Sequence, residues 1–228
     1  MNQSLPCSTS CRSCGIRDRV LFGGLKEDDL LPIQSAISEK SLAPQAVLYH
    51  MGEKTRGVFT VRQGFVKLIQ YLPDGGQRIV RLVRSGDVLG LEALLGQPYQ
   101  HEAVVIQHAV LCRIPVEVVQ RLAEESPALH RELMFRWQRA LSEAEAWLTE
   151  LSTGSVRRRV ARLVLRLADE AGERCCSLFN RRDMGAMLGV TTESTSRVIA
   201  EFRRDGILQE NPQGFCIDRL RLREIAAD

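Results

Sequence analysis

Two textures of apolar and polar positions divide the chain. From Ser41 to Pro115, short runs rich in β-branched and apolar residues alternate with turn residues. The runs are Val47-Leu48-Tyr49, Val58 to Arg62, Phe65 to Leu72, Gln77 to Val83, Val88-Leu89, Ala103 to Gln107 and Val110 to Ile114. The breaks fall at Met51-Gly52-Glu53, Gln63-Gly64, Pro73-Asp74-Gly75-Gly76, Ser85-Gly86-Asp87 and Gly96-Gln97-Pro98. Many short strands closed by such turns predict a small sandwich or barrel. From Val116 onward the apolar spacing lengthens to that of helices.

The helical part opens with a short helix, and Ser126-Pro127 then has the chemistry of a fresh start: a capping hydroxyl followed by proline in the first turn. Trp137, Leu141, Ala144, Leu148 and Leu151 follow at intervals of four, three, four and three residues. That is a heptad seam a few turns long. It suits either a helix lying on its own domain or the joint of a homodimer. Ser152-Thr153-Gly154-Ser155 reads as a hinge, followed by an amphipathic helix from Val156 to about Ala171 and a strand from Cys175 to Phe179.

The stretch from Asn180 to Leu208 is the most specific. Asn180 suits an N-cap and Asp183 the first turn, where its charge complements the helix dipole. Met184, Met187 and Leu188 make an apolar face, and Gly189 ends the helix. Thr191 starts a second helix whose inward stripe is Thr195, Val198, Ile199 and Phe202. Glu193, Ser196 and Arg197 are left on other faces, near the N-terminal end. A carboxylate, a hydroxyl and a guanidinium placed there suit base edges in a DNA major groove. Beyond Gly206, Ile207-Leu208 and Phe215-Cys216-Ile217 flank Asn211-Pro212-Gln213-Gly214, the pattern of a hairpin wing.

Composition changes this picture little. With 228 residues, 44% hydrophobic and 26% charged, the chain has ample length for a core, in one or two domains. No apolar run approaches the ~20 residues of a membrane span, and the N-terminus lacks the apolar core of a secretory signal. The protein is therefore expected to be cytoplasmic, with no membrane partner. The net charge of +3 is small, but arginines crowd the C-terminal third: Arg157, Arg158, Arg159, Arg162, Arg166, Arg174, Arg181, Arg182, Arg197, Arg203 and Arg204. Such a cluster is expected to contact phosphates. No phosphate-binding loop and no nucleophile–base constellation is present, so no enzyme is expected.

Seven cysteines without an export signal point to metal or redox chemistry rather than a disulfide framework. Cys7, Cys11 and Cys14 sit on a polar N-terminal arm, and Cys112 lies in the β-rich part. Four thiolates so placed can hold an iron–sulfur cubane or zinc, clipping the arm to the domain. A thiol–disulfide switch between the arm and Cys112 is the other chemistry open to them. Taken one at a time, the arm cysteines also read as spectators and Cys112 as a small apolar core residue. Cys175, Cys176 and Cys216 are expected to be structural.

The run Thr192-Glu193-Ser194-Thr195-Ser196-Arg197 resembles the recognition helix of the Crp/Fnr superfamily of bacterial transcription regulators. Its Glu-x-x-Ser-Arg arrangement is similar to the oxygen-responsive FNR branch, and the glycines Gly52, Gly64, Gly86 and Gly90 resemble those of the superfamily's jelly roll. The resemblance implies an α+β chain: a cysteine-bearing arm (1–20), a cyclic-nucleotide-binding-like β jelly roll (21–115), a dimerisation helix region (116–151) and a winged helix-turn-helix (152–228). It implies DNA contacts by Thr192, Glu193, Ser196 and Arg197, a homodimer joined along the heptad seam, and a TTGAT-N4-ATCAA-like palindrome. It also implies contact with RNA polymerase near Pro73 to Gly76. A [4Fe–4S] cluster is implied at Cys7, Cys11, Cys14 and Cys112, because Cys112-Arg113-Ile114-Pro115 reproduces the context of the family's central ligand. The familiar spacing would place a third arm ligand at Val20, so Cys7 is expected to replace it. Cyclic-nucleotide binding is not expected, since Leu91 and His101 stand where the nucleotide-binding members carry an acid and an arginine.

Overall fold

The computed structural model describes residues 5–6, 14–17, 20–22, 35–55, 57–171, 175–212 and 214–227. The chain forms two compact units. The first contains residues 1–70 and 80–140, and the second contains 71–79 and 141–228.

The first unit is built on antiparallel strands. These are β1 (Leu5–Pro6), β2 (Ser38–Leu42), β3 (Val47–Tyr49), β4 (Val58–Tyr71), β5 (Gln77–Val83), β6 (Val88–Leu89) and β7 (Glu102–Ile114). The sheet order is β1-β2-β7-β4-β5, with β3 also paired to β7 and β6 to β4. Two pairs of runs expected to be separate strands are continuous. Val58 to Tyr71 forms one long strand through Gly64, and Glu102 to Ile114 another. Gly64 makes the first possible: its φ is +85°, and a Cβ there would collide with the His108 carbonyl oxygen. Only glycine permits that backbone approach, and the ladder between β4 and β7 shifts register around it.

Inside lie Leu42, Val61, Val66, Leu68, Val105 and Leu111, with Tyr49 stacked on Tyr99 at 3.8 Å between ring centroids. The Tyr99 hydroxyl donates to the Gly57 carbonyl, which satisfies its buried polar end. A second apolar cluster joins Leu21, Phe22, Ile37, Val58 and Ile114 to the helices α1 (Val116–Glu125) and α2 (Pro127–Ala146) through Val119, Leu122, Leu129 and Leu133.

The predicted seam is partly covered within its own chain. Trp137 is partly buried against the first unit's core, and Leu151 is fully covered within its own chain. Leu141, Ala144 and Leu148 are exposed. The apolar side chains that α2 and the following turn leave outside are Met134, Phe135, Leu141 and Leu148. Periodicity located the helix correctly. Which side of a wide apolar stripe its own chain covers depends on packing that a heptad count does not contain.

In the second unit, α3 (Val156–Ala171) packs against α4 (Arg181–Leu188), α5 (Thr192–Arg204) and α6 (Arg219–Ala227). Three short strands complete it: β8 (Cys175–Cys176), β10 (Gly214–Ile217) and β9 (Leu208–Asn211), in that order. The wing is a hairpin with Gly214 paired to Asn211 and Ile217 to Leu208. The strand expected over Cys175 to Phe179 is two residues long, and α6 was not anticipated. Cys216, expected to be structural, is disulfide-bonded, and its backbone pairs with that of Cys175 in the β8–β10 ladder.

Candidate nucleic-acid interface and cysteine cavity

The local chemistry of the helix pair α4–α5 explains its shape. The Asn180 carboxamide oxygen accepts from the Asp183 backbone N–H at 2.8 Å. Gly189 closes α4 in the left-handed region, at φ 65°. Gly185 lets the turn come close, because a Cβ there would lie 2.8 Å from the Val190 carbonyl oxygen. Thr191 then caps α5, accepting from the Ser194 N–H at 3.1 Å. Thr195, Val198, Ile199 and Phe202 are all buried, as their spacing predicts.

That inward stripe leaves the predicted reading residues outside. Thr192, Glu193 and Arg197 are exposed and Ser196 is half-buried, all within the first turns of α5. The Glu193 carboxyl is held below the ordinary range by a hydrogen bond from its own backbone N–H and another from the Thr191 side chain. It is therefore a firm anion at the helix N-terminus, able to accept but not donate.

The arginine cluster divides into two groups that sequence cannot separate. Arg158 donates to the Ala227 carbonyl, and Arg162 to those of Ala226, Glu150 and Thr153. Arg159 donates to Gly154 and Leu188. These guanidiniums satisfy carbonyls at or near helix ends, where the dipole favours a cation. Arg157 pairs with Glu201 at 2.8 Å and lies over the Phe202 ring, and Arg166 lies over Trp147. The expectation that the whole cluster faces phosphates is thus corrected. Arg182, Arg197 and Arg204 are exposed on the helix pair, and Arg174 lies outside the described residues.

The second site is in the first unit. Cys14 and Cys112, both half-buried thiols, line one cavity of about 40 Å3 together with Arg17, Val20, Phe22, Ile37, Thr60, Arg62 and Ile114. Val20, where the familiar spacing would place a ligand, is on the same wall. Cys7 and Cys11 lie outside the described residues. Arg17, Thr60 and Arg62 went unnoticed in the sequence. No sequence signal marks Thr60, since only the β4–β7 register of the folded chain sets it opposite Cys112. The Arg62 guanidinium on this wall is paired with the Glu39 carboxylate. Among the described residues, no group of three or more His, Cys, Asp or Glu side chains converges.

At the positions tied to cyclic-nucleotide binding, Leu91 is buried in the core. Glu102 is occupied by His50, 2.8 Å from its Nδ1. His101 is pushed towards the neutral imidazole by burial, with Glu92 opposing and Arg81 assisting. No helix among the described residues is long and apolar enough to cross a membrane.

Comparison with known proteins matches residues 39–126 to the cyclic nucleotide-binding domain and residues 158–225 to the Crp-like helix-turn-helix domain. The chain is 24% identical over 213 residues to the fumarate and nitrate reduction regulatory protein of Vibrio cholerae, covering 90% of this chain and 85% of that protein. It is 22% identical to the regulatory protein HlyX of Actinobacillus pleuropneumoniae, covering 94% and 92%. Among solved structures, FixK2 of Bradyrhizobium japonicum is similar with a TM-score of 0.76 and 26% identity, over 84% of this chain and 98% of that one. A transcriptional regulator of the CRP family from Thermus thermophilus follows with a TM-score of 0.71 and 27% identity, over 83% and 97%.

Proposed function

The chain belongs to the Crp/Fnr family of DNA-binding transcription regulators, and on that premise we propose that it senses oxygen or redox state through a [4Fe–4S] cluster and reads a TTGAT-N4-ATCAA-like palindrome as a homodimer. The family is not enzymatic. The observation that carries the reading is the meeting of Cys14 and Cys112 in one cavity beside Arg17 and Arg62.

The donor set fits the group. Cys14 and Cys112 supply two thiolates from elements far apart in sequence, and Cys7 and Cys11 would supply the others. Arg17, on the same wall, would offset negative charge that four thiolates bring to the site, while the Arg62 guanidinium is paired with Glu39. A bound cluster would supply a joint that oxygen or nitric oxide can break. The chain's own residues do the rest. Cys14 holds the arm on β7, and Leu141, Ala144 and Leu148, with Met134, offer the apolar face on which a second copy docks. Arg197 reads guanine O6 and N7, Glu193 accepts from cytosine N4, and Ser196 and Thr192 stand at neighbouring edges or phosphates. Two recognition helices one turn of DNA apart match a two-fold palindrome. RNA polymerase contact at the hairpin tip Pro73 to Gly76 and a cytoplasmic location belong to the same reading.

The test is iron, sulfide and visible absorbance on protein isolated without oxygen, with Cys7→Ser and Cys112→Ser in parallel. About four irons per chain, a brown colour bleached by air and loss of both in each variant support the reading. Colourless, iron-free protein that cannot be reconstituted yet binds the palindrome overturns it. The second reading, a zinc or thiol–disulfide switch, is favoured by the cavity that the two thiols share. Zinc content, or an air-formed disulfide between arm and domain, would identify it.

A further inference from the structure

The cysteine cavity shares a strand with a turn that grips the helix carrying the exposed apolar face. Thr60 and Arg62 of β4 line the cavity, and Val61 lies between them. Val61 exchanges two backbone hydrogen bonds with the turn Ser85-Gly86-Asp87: Gly86 N–H to the Val61 carbonyl at 2.8 Å, and Val61 N–H to the Asp87 carbonyl at 3.0 Å. The Ser85 hydroxyl adds a third bond, to the Arg62 carbonyl at 2.8 Å. Three bonds over two residues make turn and strand move together.

The other side of this turn holds α2. Arg136 donates to the Gly86 carbonyl at 2.8 Å, and its guanidinium is fixed from behind by Glu132 at 2.6 Å. Arg139 lies 3.5 Å from the Asp87 carboxylate. Asp87 is only 4% exposed, and its second oxygen accepts from the Arg84 N–H at 3.1 Å. A buried carboxylate facing one cation and one amide has few alternative arrangements, because leaving it unpaired is costly. Arg136 and Arg139 point to the face of α2 opposite Met134 and Leu141, since two residues along a helix turn it by about 200°.

We infer that the Gly86–Asp87 turn is a latch that positions α2, so that the state of the Cys14–Cys112 site sets how the exposed face of α2 is presented to a second copy. Arg136, Arg139 and Asp87 are positioning residues in this scheme and touch neither cofactor nor partner. The latch rests on the proposed sensing site for its signal, but its own geometry is independent of which group the cysteines hold. A change at Cys112 strains its ladder partner Thr60, the strand passes it to Val61–Arg62, and the turn delivers it to two guanidiniums one helical turn apart.

The experiment is a double-mutant cycle on the full chain, reading the dimer dissociation constant by sedimentation. Cys112→Ser is combined with Arg139→Ala, and then with Asp87→Asn, whose carboxamide oxygen can still accept from Arg84. Hydrogen exchange of α2 amides and iron content are measured on each protein. The latch predicts that Cys112→Ser weakens the dimer and deprotects α2 in the parent. In either latch variant that effect should shrink by about three- to tenfold, with iron content unchanged by Arg139→Ala. Additive effects in both cycles, or no response of α2 to Cys112→Ser, overturn the latch. Iron-free protein with a non-additive cycle sinks the cluster reading and leaves the latch standing. Should Asp87→Asn not fold, Arg136→Ala replaces it, since it removes the bond to Gly86 without touching the buried carboxylate.

Discussion

Arg203, in the last turn of α5, donates to the Glu210 carboxylate of β9 at 2.6 Å, so the recognition helix and the wing are joined by a charge pair across the Gly206 turn. Both side chains are about half exposed. An exposed pair of this kind contributes ~0.2–1 kcal/mol. Arg203→Ala or Glu210→Ala should therefore lower unfolding stability by less than ~1 kcal/mol in urea titration. Removing the pair frees the wing relative to α5, so amides of Leu208 to Ile217 should exchange faster. Unchanged exchange in both variants would reduce the pair to surface decoration.

Arg162 should behave differently although it belongs to the same basic stretch. Its guanidinium bonds three carbonyls, those of Ala226, Glu150 and Thr153. Arg162→Ala leaves those carbonyls short of a charged donor and should cost ~1.5–3 kcal/mol of stability. Because its donors are engaged by those carbonyls, the salt slope of operator binding should stay that of the parent. A slope lower by about one unit would instead make it a phosphate contact.

Arg197 is the converse case. It is exposed and lies outside the buried stripe of α5, so Arg197→Ala should leave urea stability within ~0.5 kcal/mol of the parent. Specific DNA binding should weaken by ~1–3 kcal/mol, with base choice relaxed at one position of each half-site. Equal loss on all sequences, read from competition with non-cognate DNA, would assign Arg197 to the backbone.

His101 gives a pH dependence whose sign follows from burial. Burial depresses its affinity for a proton below the ordinary value of 6.5, while the unfolded chain keeps that value. Below 6.5 the unfolded state binds a proton that the folded state refuses, so stability falls as pH drops through this window and levels off below the folded value. His101→Gln should flatten that part of the pH–stability curve. Proton titration by NMR, with the His101 midpoint above 6.5, would reverse the argument.

Much of the second unit was legible because its determinants are local. The caps at Asn180 and Thr191, the left-handed Gly189 and the stripe of Thr195, Val198, Ile199 and Phe202 are all set within a few residues of one another, and each stands in the structure where its chemistry requires. The exposure of Thr192, Glu193 and Arg197 follows from that stripe by helix geometry alone. The strands of the first unit were legible as runs, but their joining across Gly64 depended on the approach of His108, a residue far along the chain.

What the sequence determined, then, is everything its own period and caps specify: the two textures, the helix-turn-helix, the wing, and the residue types available to read DNA and hold a metal. The tertiary structure decided which of several equivalent residues are used. Trp137 and Leu151 share the heptad of Leu141 and Leu148, yet their own chain covers the first in part and the second wholly. Arg162 reads like Arg197 until the carbonyls of Ala226, Glu150 and Thr153 come within reach. Cys14 and Cys112 share a cavity only because the first unit brings the end of the arm and strand β7 together. Periodicity and capping energies act over one or two turns, whereas burial and pairing depend on neighbours distant in sequence, and only the folded chain supplies those.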